Sequence, residues 1–495
     1  MKTNIKKILS TTLCAAMVLT MATGLSSCEK KAEGGTLIWY LDGTIPEDLD
    51  TVMAKANEII EPEIGMKLEM RYLDGYGEKM KLKMASGEEF DLMFTGYNNN
   101  YQTAVSLGGL YDITDFVKEQ NITDYMPQFY LDAATVNGRI YGLPNMQVVS
   151  NPVCISIDKT VADELSLYDE MEAIEKAACS AKNIDDIKAY VALLDNLFAQ
   201  IKAGRPNLYT INPEYDLLST PLYEGLTGGL SIRRDGSSDK LEALYDEEIT
   251  KLSAQKNHEW YEKGYIRNDI ASKGNTLTSD EERRQVAITQ TTWKPGAEVL
   301  LEKTRQDEVV FAMLQNPYVP RTGALAAMTS VSATSKHPEE AVALMKLVST
   351  NEELFNILAW GIEGKHYTKD ETGHVTEIEN SGYNKIGENA WKLGNQFNAY
   401  LVVGQEDGIW EETEKMNNEA VKSPMLGFVP NTDSITTELS NISNVGAEYK
   451  ARKNFGTMDP AEWYDAYVSD MKAAGVEKVK EELQKQYDEF LASKQ

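Results

Sequence analysis

The sequence predicts an α/β fold divided between at least two lobes, and three observations carry that prediction. Removing a 27-residue N-terminal signal leaves 468 of the 495 residues, too many for one ordinary hydrophobic core. Strand and helix patterns alternate at the start of the mature chain, which builds a β-α-β unit and an open sheet. Helical periodicity then dominates the middle, returns to a strand-like run at Val309–Met313, and resumes towards the C-terminus.

The elements follow in order. Lys2, Lys6 and Lys7 precede the apolar run Ile8–Leu19, which is too short to span a bilayer, and Leu25-Ser26-Ser27-Cys28 follows. That order is the order of a bacterial lipoprotein signal. The Cys28 sulfur is the atom that receives acyl chains such as palmitate, and the small Ser26 and Ser27 admit a peptidase. Residues 1–27 are therefore expected to leave as signal peptide, and polar, Gly-ended residues 28–35 to form a tether. No later apolar stretch approaches the roughly 20 residues needed to cross a membrane. The mature chain is expected on the extracytoplasmic face of the cell membrane, held by its lipid anchor alone.

Thr36–Tyr40 is a buried-strand run, Leu49–Ile60 a helical one, and Leu68–Leu73 alternates as a second strand. A helix fits Tyr76–Ala85, and Phe90–Phe94 reads as a third strand ending in turn-rich Gly96–Asn100. Open α/β sheets bind ligands at the carboxyl ends of their strands, which brings Trp39, Tyr40, Asp42, Tyr97, Asn98 and Asn99 to one crevice. Further helices are expected at Val161–Ala177, Ile184–Lys202, Ser238–Gly264, Ala297–Glu308, Pro338–Ser349 and along the amphipathic end Ala461–Leu491. Cys154 falls in an alternating strand and Cys179 in a helical run, so two separate buried thiols are expected; a disulfide is the alternative open to this compartment.

Loss of the three signal-segment lysines takes the formal net charge from −28 to −31. Such a surface repels phosphate backbones and excludes nucleic acid as a partner. The run His258-Glu259-Trp260-Tyr261-Glu262 approaches a zinc-protease helix, but Glu262 stands where the second metal-binding His is required. No Gly-x-Ser-x-Gly elbow, P-loop, Cys-x-x-Cys pair or calcium loop appears. His337, His366 and His374 lie on different segments without ligand spacing. No catalytic residue, metal or cofactor is predicted. A secreted glycoside hydrolase remains the competing class, because acidic residues are abundant enough to supply its two carboxylates anywhere.

Three runs resemble the successive landmarks of family 1 extracellular solute-binding proteins, the lipoprotein receptors of ATP-driven (ABC) importers: Ala85–Leu92, Gly108–Asp115 and Asn137–Pro144. Thr334–Ala341 is similar to that family's helix entry after the second lobe crossing. Trp360–Tyr367 and Gly427-Phe428 resemble a C-terminal region of unassigned role appended in one Gram-positive subgroup. The resemblance implies a two-lobed, periplasmic-binding-protein-like (type II) clamshell with several hinge crossings. Residues 36–148 with 318–360 would form the first lobe, and 149–317 with 361–495 the second. Prolines between strand-like segments put crossings near Asn145–Pro152 and Asn316–Arg321. The family's usual ligands imply a sugar or oligosaccharide, passed unaltered to the transmembrane subunits of a permease; polyamines or peptides are the alternative ligands.

A sugar offers a flat apolar face and a ring of hydroxyls, so its receptor needs aromatic platforms and planar polar side chains. Trp39, Tyr40, Trp293 and Trp360 are the candidate platforms; Asp42, Asn98, Asn99, Asn145, Gln147 and Glu363 are the candidate hydroxyl partners. Tyr223 and Glu224, in a loop beside Pro221, join them. Trp39 after a buried strand and Trp360 at a helix end are equally compatible with core, and Asn98–Asn100 with a solvated turn.

Overall fold

The computed structural model describes residues 34–97, 101–305, 308–383 and 390–494. The signal segment, Cys28, Asn98 and Asn99 lie outside the described residues.

The first unit forms as its pattern requires. Strand β1 (Gly35–Asp42) is buried without interruption from Trp39 to Leu41, as a central parallel strand must be. Helix α1 (Leu49–Ile64) buries Leu49, Val52, Met53, Ala56 and Ile60 at helical spacing and stops at Gly65, whose φ of 83° suits glycine. Strand β2 (Met66–Leu73) alternates buried and open positions and pairs parallel to β1 from Gly35↔Met66 to Asp42↔Leu73. After α2 (Tyr76–Ser86), β3 (Leu92–Gly96) pairs parallel on the other side of β1. Strand β4 (Gly142–Pro144) belongs to the same sheet, and β5 (Val153–Asp158) opens the next.

The expected helix Val161–Ala177 is two helices, α3 (Lys159–Leu165) and α4 (Tyr168–Ser180). Ser166 takes a left-handed φ of 55° between them, a break that helical periodicity does not reveal. The long helix α5 (Ile184–Gly204), β6 (Tyr209–Asn212) and β7 (Tyr223–Gly225) follow. Of the expected helix Ser238–Gly264, only α6 (Glu248–Glu262) is α-helical. Upstream, Glu242 and Ala243 pair with Leu230 and Ser231, and Leu241 is drawn into a core, so tertiary pairing overrides local propensity.

Strand β8 (Val286–Thr292) runs parallel to β6 and antiparallel to β5, and β9 (Val309–Met313) closes the second sheet in the order β9-β5-β8-β6. Strand β10 (Tyr318–Val319) leads back to β11 (Ala327–Val331), which completes the first sheet as β2-β1-β3-β11-β4. Helices α7 (Pro338–Thr350), α8 (Glu352–Trp360) and α9 (Ile409–Glu419) precede β12 (Val421–Lys422). The amphipathic end follows α10 (Thr436–Phe455) and is split into α11 (Pro460–Ala473) and α12 (Val476–Ser493) at Gly475, φ 95°.

Three hydrophobic clusters form. One surrounds the first sheet, one the second, and the third joins Leu226–Ala254 to the C-terminal helices. The expectation that everything after residue 361 belongs with the second lobe needs correction. Tyr367, Val375, Ala390, Leu393, Ala399, Val402, Ala420 and Leu426 pack in the first cluster. Polar anchors explain it. Buried Asn356 of α8 donates to Asn398 O at 2.7 Å and accepts from Tyr400 N–H, while His366 Nδ1 accepts from Ile362 N–H and its Nε2–H donates to Asp48 at 2.8 Å.

Residues 145–152 carry the chain from β4 to β5, and residues 314–326 return it from β9 to β11. A third passage begins at β12, which pairs parallel with β10. Asn417 Oδ1 accepts from Val149 N–H and Ser150 Oγ, tying the first passage to α9.

Candidate functional site

The carboxyl ends of the parallel strands carry the open aromatic and carboxylate side chains of both sheets. In the first sheet, β1 ends at Asp42 and β3 delivers Tyr97, whose side chain is 63% exposed. The Tyr97 hydroxyl donates to Asp42 Oδ2 at 2.6 Å. Desolvation, then the carboxylate, push that hydroxyl up to about 12. Trp391 lies against the same group, its ring 5.7 Å from Tyr97 and 5.9 Å from Phe94. Lys392 donates to Asp42 O at 3.0 Å and holds its ammonium 5.4 Å from the Trp391 ring. Asn145 is buried beneath: its amide donates to Trp391 O at 3.5 Å and accepts from Thr329, so it supports the platform from behind.

In the second sheet, parallel β6 and β8 deliver Glu214 and Tyr215 from one strand end and Trp293 from the other. Trp293 N–H bonds Pro152 O at 2.9 Å, which stitches this strand end to the first passage. Its indole donates to Glu298 at 3.0 Å. The partly exposed Trp293 lines a cavity of about 450 Å³ with Pro295, Asn316, Pro317, Met416 and Val421. The turn after it approaches the start of α9 closely: a Cβ on Gly296, φ 74°, would meet Ile409 at 2.7 Å. A second cavity, about 410 Å³, opens beside the same strand end and is lined by Asn212, Glu214, Tyr215, Asn275 and Gln290.

Other expected residues lie elsewhere. Trp39 and Tyr40 are 1% and 3% exposed because β1 is covered on both faces; the Tyr40 hydroxyl instead joins Lys83, Arg71 and Glu88. Trp360 is buried at the end of α8. Gln147 is buried, and its backbone carbonyl accepts from Tyr130 and Asn417. Tyr223 bonds Glu242 and stacks under Arg233, and Glu363 is exposed beside Lys369. Glu224 is buried at the hinge: it accepts from the Tyr318 hydroxyl, Arg321 N–H and Ser423 Oγ. The sequence reading missed Trp391, Tyr215 and Asn212. Trp391 sits in a single turn of 3-10 helix, where no strand or helix period draws attention to it.

His258 faces the Gly456 carbonyl at 2.8 Å, and His374 faces Asp407. Among the described residues no group of three His, Cys, Asp or Glu side chains is placed to hold a metal. Both cysteines are unbridged, but only Cys154 is buried as expected and Cys179 is half-buried; desolvation pushes the Cys154 thiol up to about 12 and the Cys179 thiol up to about 11.

Two sheets joined by several passages, with aromatic and polar side chains at the strand carboxyl ends, define a two-lobed solute-binding protein. The chain belongs to the bacterial extracellular solute-binding protein family, which matches residues 60–361. Residues 424–492 match a domain of unknown function (DUF3502). A carbohydrate ABC transporter substrate-binding protein of Streptococcus pneumoniae serotype 4 is 28% identical, covering 97% of this chain and 98% of that protein. The crystal structure of an N-glycan transport solute-binding protein from the same species superposes with a TM-score of 0.77 at 26% identity, over 93% of this chain and all of that one. Its complex with Man5GlcNAc scores 0.63 at 27% identity, over 93% and 99% of the two chains.

Proposed function

We propose that this chain is a lipid-anchored receptor that captures an oligosaccharide between its lobes and delivers it, chemically unchanged, to an ABC permease. One observation carries the reading: open aromatic faces stand beside hydrogen-bonding groups at the parallel-strand ends of both sheets. Asp42, Tyr97 and Trp391 serve the first lobe; Tyr215 and Trp293 serve the second. A ligand drives closure only through contacts it makes better in the closed state, which requires both lobes. The lobes are residues 36–148, 318–360 and most of 361–426 on one side, and 149–317 with the C-terminal helices on the other. Cys28 carries the acyl anchor, and the mature chain works on the extracytoplasmic face.

The named relatives support a carbohydrate ligand. Asp42 is engaged by Tyr97, and Lys392 stands beside it, which favours a neutral ligand over a polyamine. A melting-temperature screen of the mature chain against oligosaccharides, peptides and polyamines tests the reading, because bound ligand raises the midpoint. Stabilisation by oligosaccharides alone is expected; stabilisation by polyamines or peptides alone overturns the ligand class. Hydrolysis of the stabilising glycan would return the chain to the glycosidase class.

A further inference from the structure

The cavity beside β6 and β8 holds a group that the site described so far leaves unused. Asn212 is 4% exposed and lines that cavity. Its Nδ2 donates to Asn275 O at 2.8 Å, which fixes the orientation of the amide, since a carbonyl cannot face a carbonyl there. The Asn212 Oδ1 is then left buried and finds no hydrogen-bond partner among the described residues. A buried acceptor without a donor is unfavourable, and something carrying a donor relieves it.

The walls around it are fixed before any ligand arrives. Gln290, itself 4% exposed, accepts from the backbone N–H groups of Glu214 at 2.5 Å and Tyr215 at 2.9 Å and donates to Tyr215 O at 3.2 Å. Asn275 donates to Pro213 O at 3.0 Å. Buried amides thus clamp the loop that presents the 40%-exposed Tyr215 ring, so little ordering remains to oppose binding. At about 410 Å³ the cavity falls within the roughly 300–1,000 Å³ of small-molecule sites. Thr292 lines it, and the next residue, Trp293, lines the neighbouring cavity.

We infer that this cavity is a second-lobe subsite for one unit of the oligosaccharide, recognised by a hydroxyl or acetamido N–H that donates to Asn212 Oδ1 while Trp293 carries an adjoining unit. The inference rests on the carbohydrate reading above and deepens it: the ligand has at least two units, and Asn212 reads one of them. An apolar ligand has no donor for Asn212, so the subsite discriminates by leaving the acceptor unpaired.

The test is calorimetric titration of the mature chain with an oligosaccharide panel that includes Man1GlcNAc and Man5GlcNAc, repeated on Asn212→Ala and Trp293→Ala with the tightest-binding member. Asn212→Ala should weaken that glycan at least fivefold, as a buried sugar donor loses its acceptor. The crystal structure of the wild-type complex, independent of any variant's folding, should show a sugar oxygen or nitrogen within 3.5 Å of Asn212 Oδ1. Affinity within twofold of wild type in Asn212→Ala while Trp293→Ala binds weakly, or a complex whose cavity holds only water, overturns the subsite and leaves the carbohydrate reading intact. Absence of binding to every glycan by the wild-type chain overturns both.

Discussion

Replacing Glu224 by alanine should loosen the hinge and cost several kcal/mol. Glu224 lies on β7, is 5% exposed, and accepts three hydrogen bonds from the two later passages. Tyr318 Oη donates at 2.7 Å and Ser423 Oγ at 2.5 Å to one carboxylate oxygen, and Arg321 N–H donates at 2.6 Å to the other. Bonds to a charged acceptor contribute about 1.5–3 kcal/mol each, but the three share one group and are not additive. Removing one partner of a buried charged network costs about 3–5 kcal/mol. At about 2 °C per kcal/mol for a large chain, Glu224→Ala should melt roughly 6–10 °C lower. Glu224→Gln should be milder, because the Tyr318 and Ser423 hydroxyls can rotate to accept from the amide while its carbonyl still accepts from Arg321 N–H. Differential scanning calorimetry of the three proteins decides it. A midpoint less than 2 °C below wild type for Glu224→Ala, or equal losses for both variants, would refute the hinge assignment.

Three further outcomes are expected. Trp391→Ala and Trp293→Ala should each weaken glycan binding roughly ten- to a hundredfold, from lost burial and stacking of about 1–3 kcal/mol, with unaltered binding in both relocating the site. Cys154 and Cys179 should resist iodoacetamide at pH 8 in the folded chain, since thiols raised to about 12 and about 11 leave only about one thiolate in ten thousand and one in a thousand. Raising the pH or unfolding the chain should open them to alkylation, and rapid labelling of the folded chain at pH 8 would contradict the scarcity of thiolate at both positions. Cys28→Ser should abolish acyl attachment, and labelled fatty acid still bound to that variant would sink the lipid-anchor reading.

Much of the fold was legible because its signals are local and periodic. Leu49, Val52, Ala56 and Ile60 mark one helical face, and Met66, Leu68 and Met70 one strand face, whatever packs against them. The helix breaks at Ser166 and Gly475 depend on single backbone angles that hydrophobic period does not record. The packing of 367–426 on the first sheet depends on Asn356 and His366, whose partners lie 42 and 318 positions away. The site divides in the same way. Asp42 and Tyr97 follow from the rule that strand ends face a crevice, since β1 and β3 could be read from sequence. Trp39 and Trp360 could not be separated from platform residues, because a buried and an open tryptophan look alike until neighbouring layers close over them. Glu224 and Asn212 became meaningful only once distant segments supplied or withheld their hydrogen-bond partners.

Small-angle scattering of the mature chain, with and without a saturating glycan that raises its melting temperature, tests capture by lobe closure most directly when the glycan is then recovered by chromatography. A smaller radius of gyration with the glycan returned intact is expected. An unchanged radius at saturation would contradict closure, and turnover of the glycan at roughly 1 s⁻¹ or faster would contradict the receptor itself.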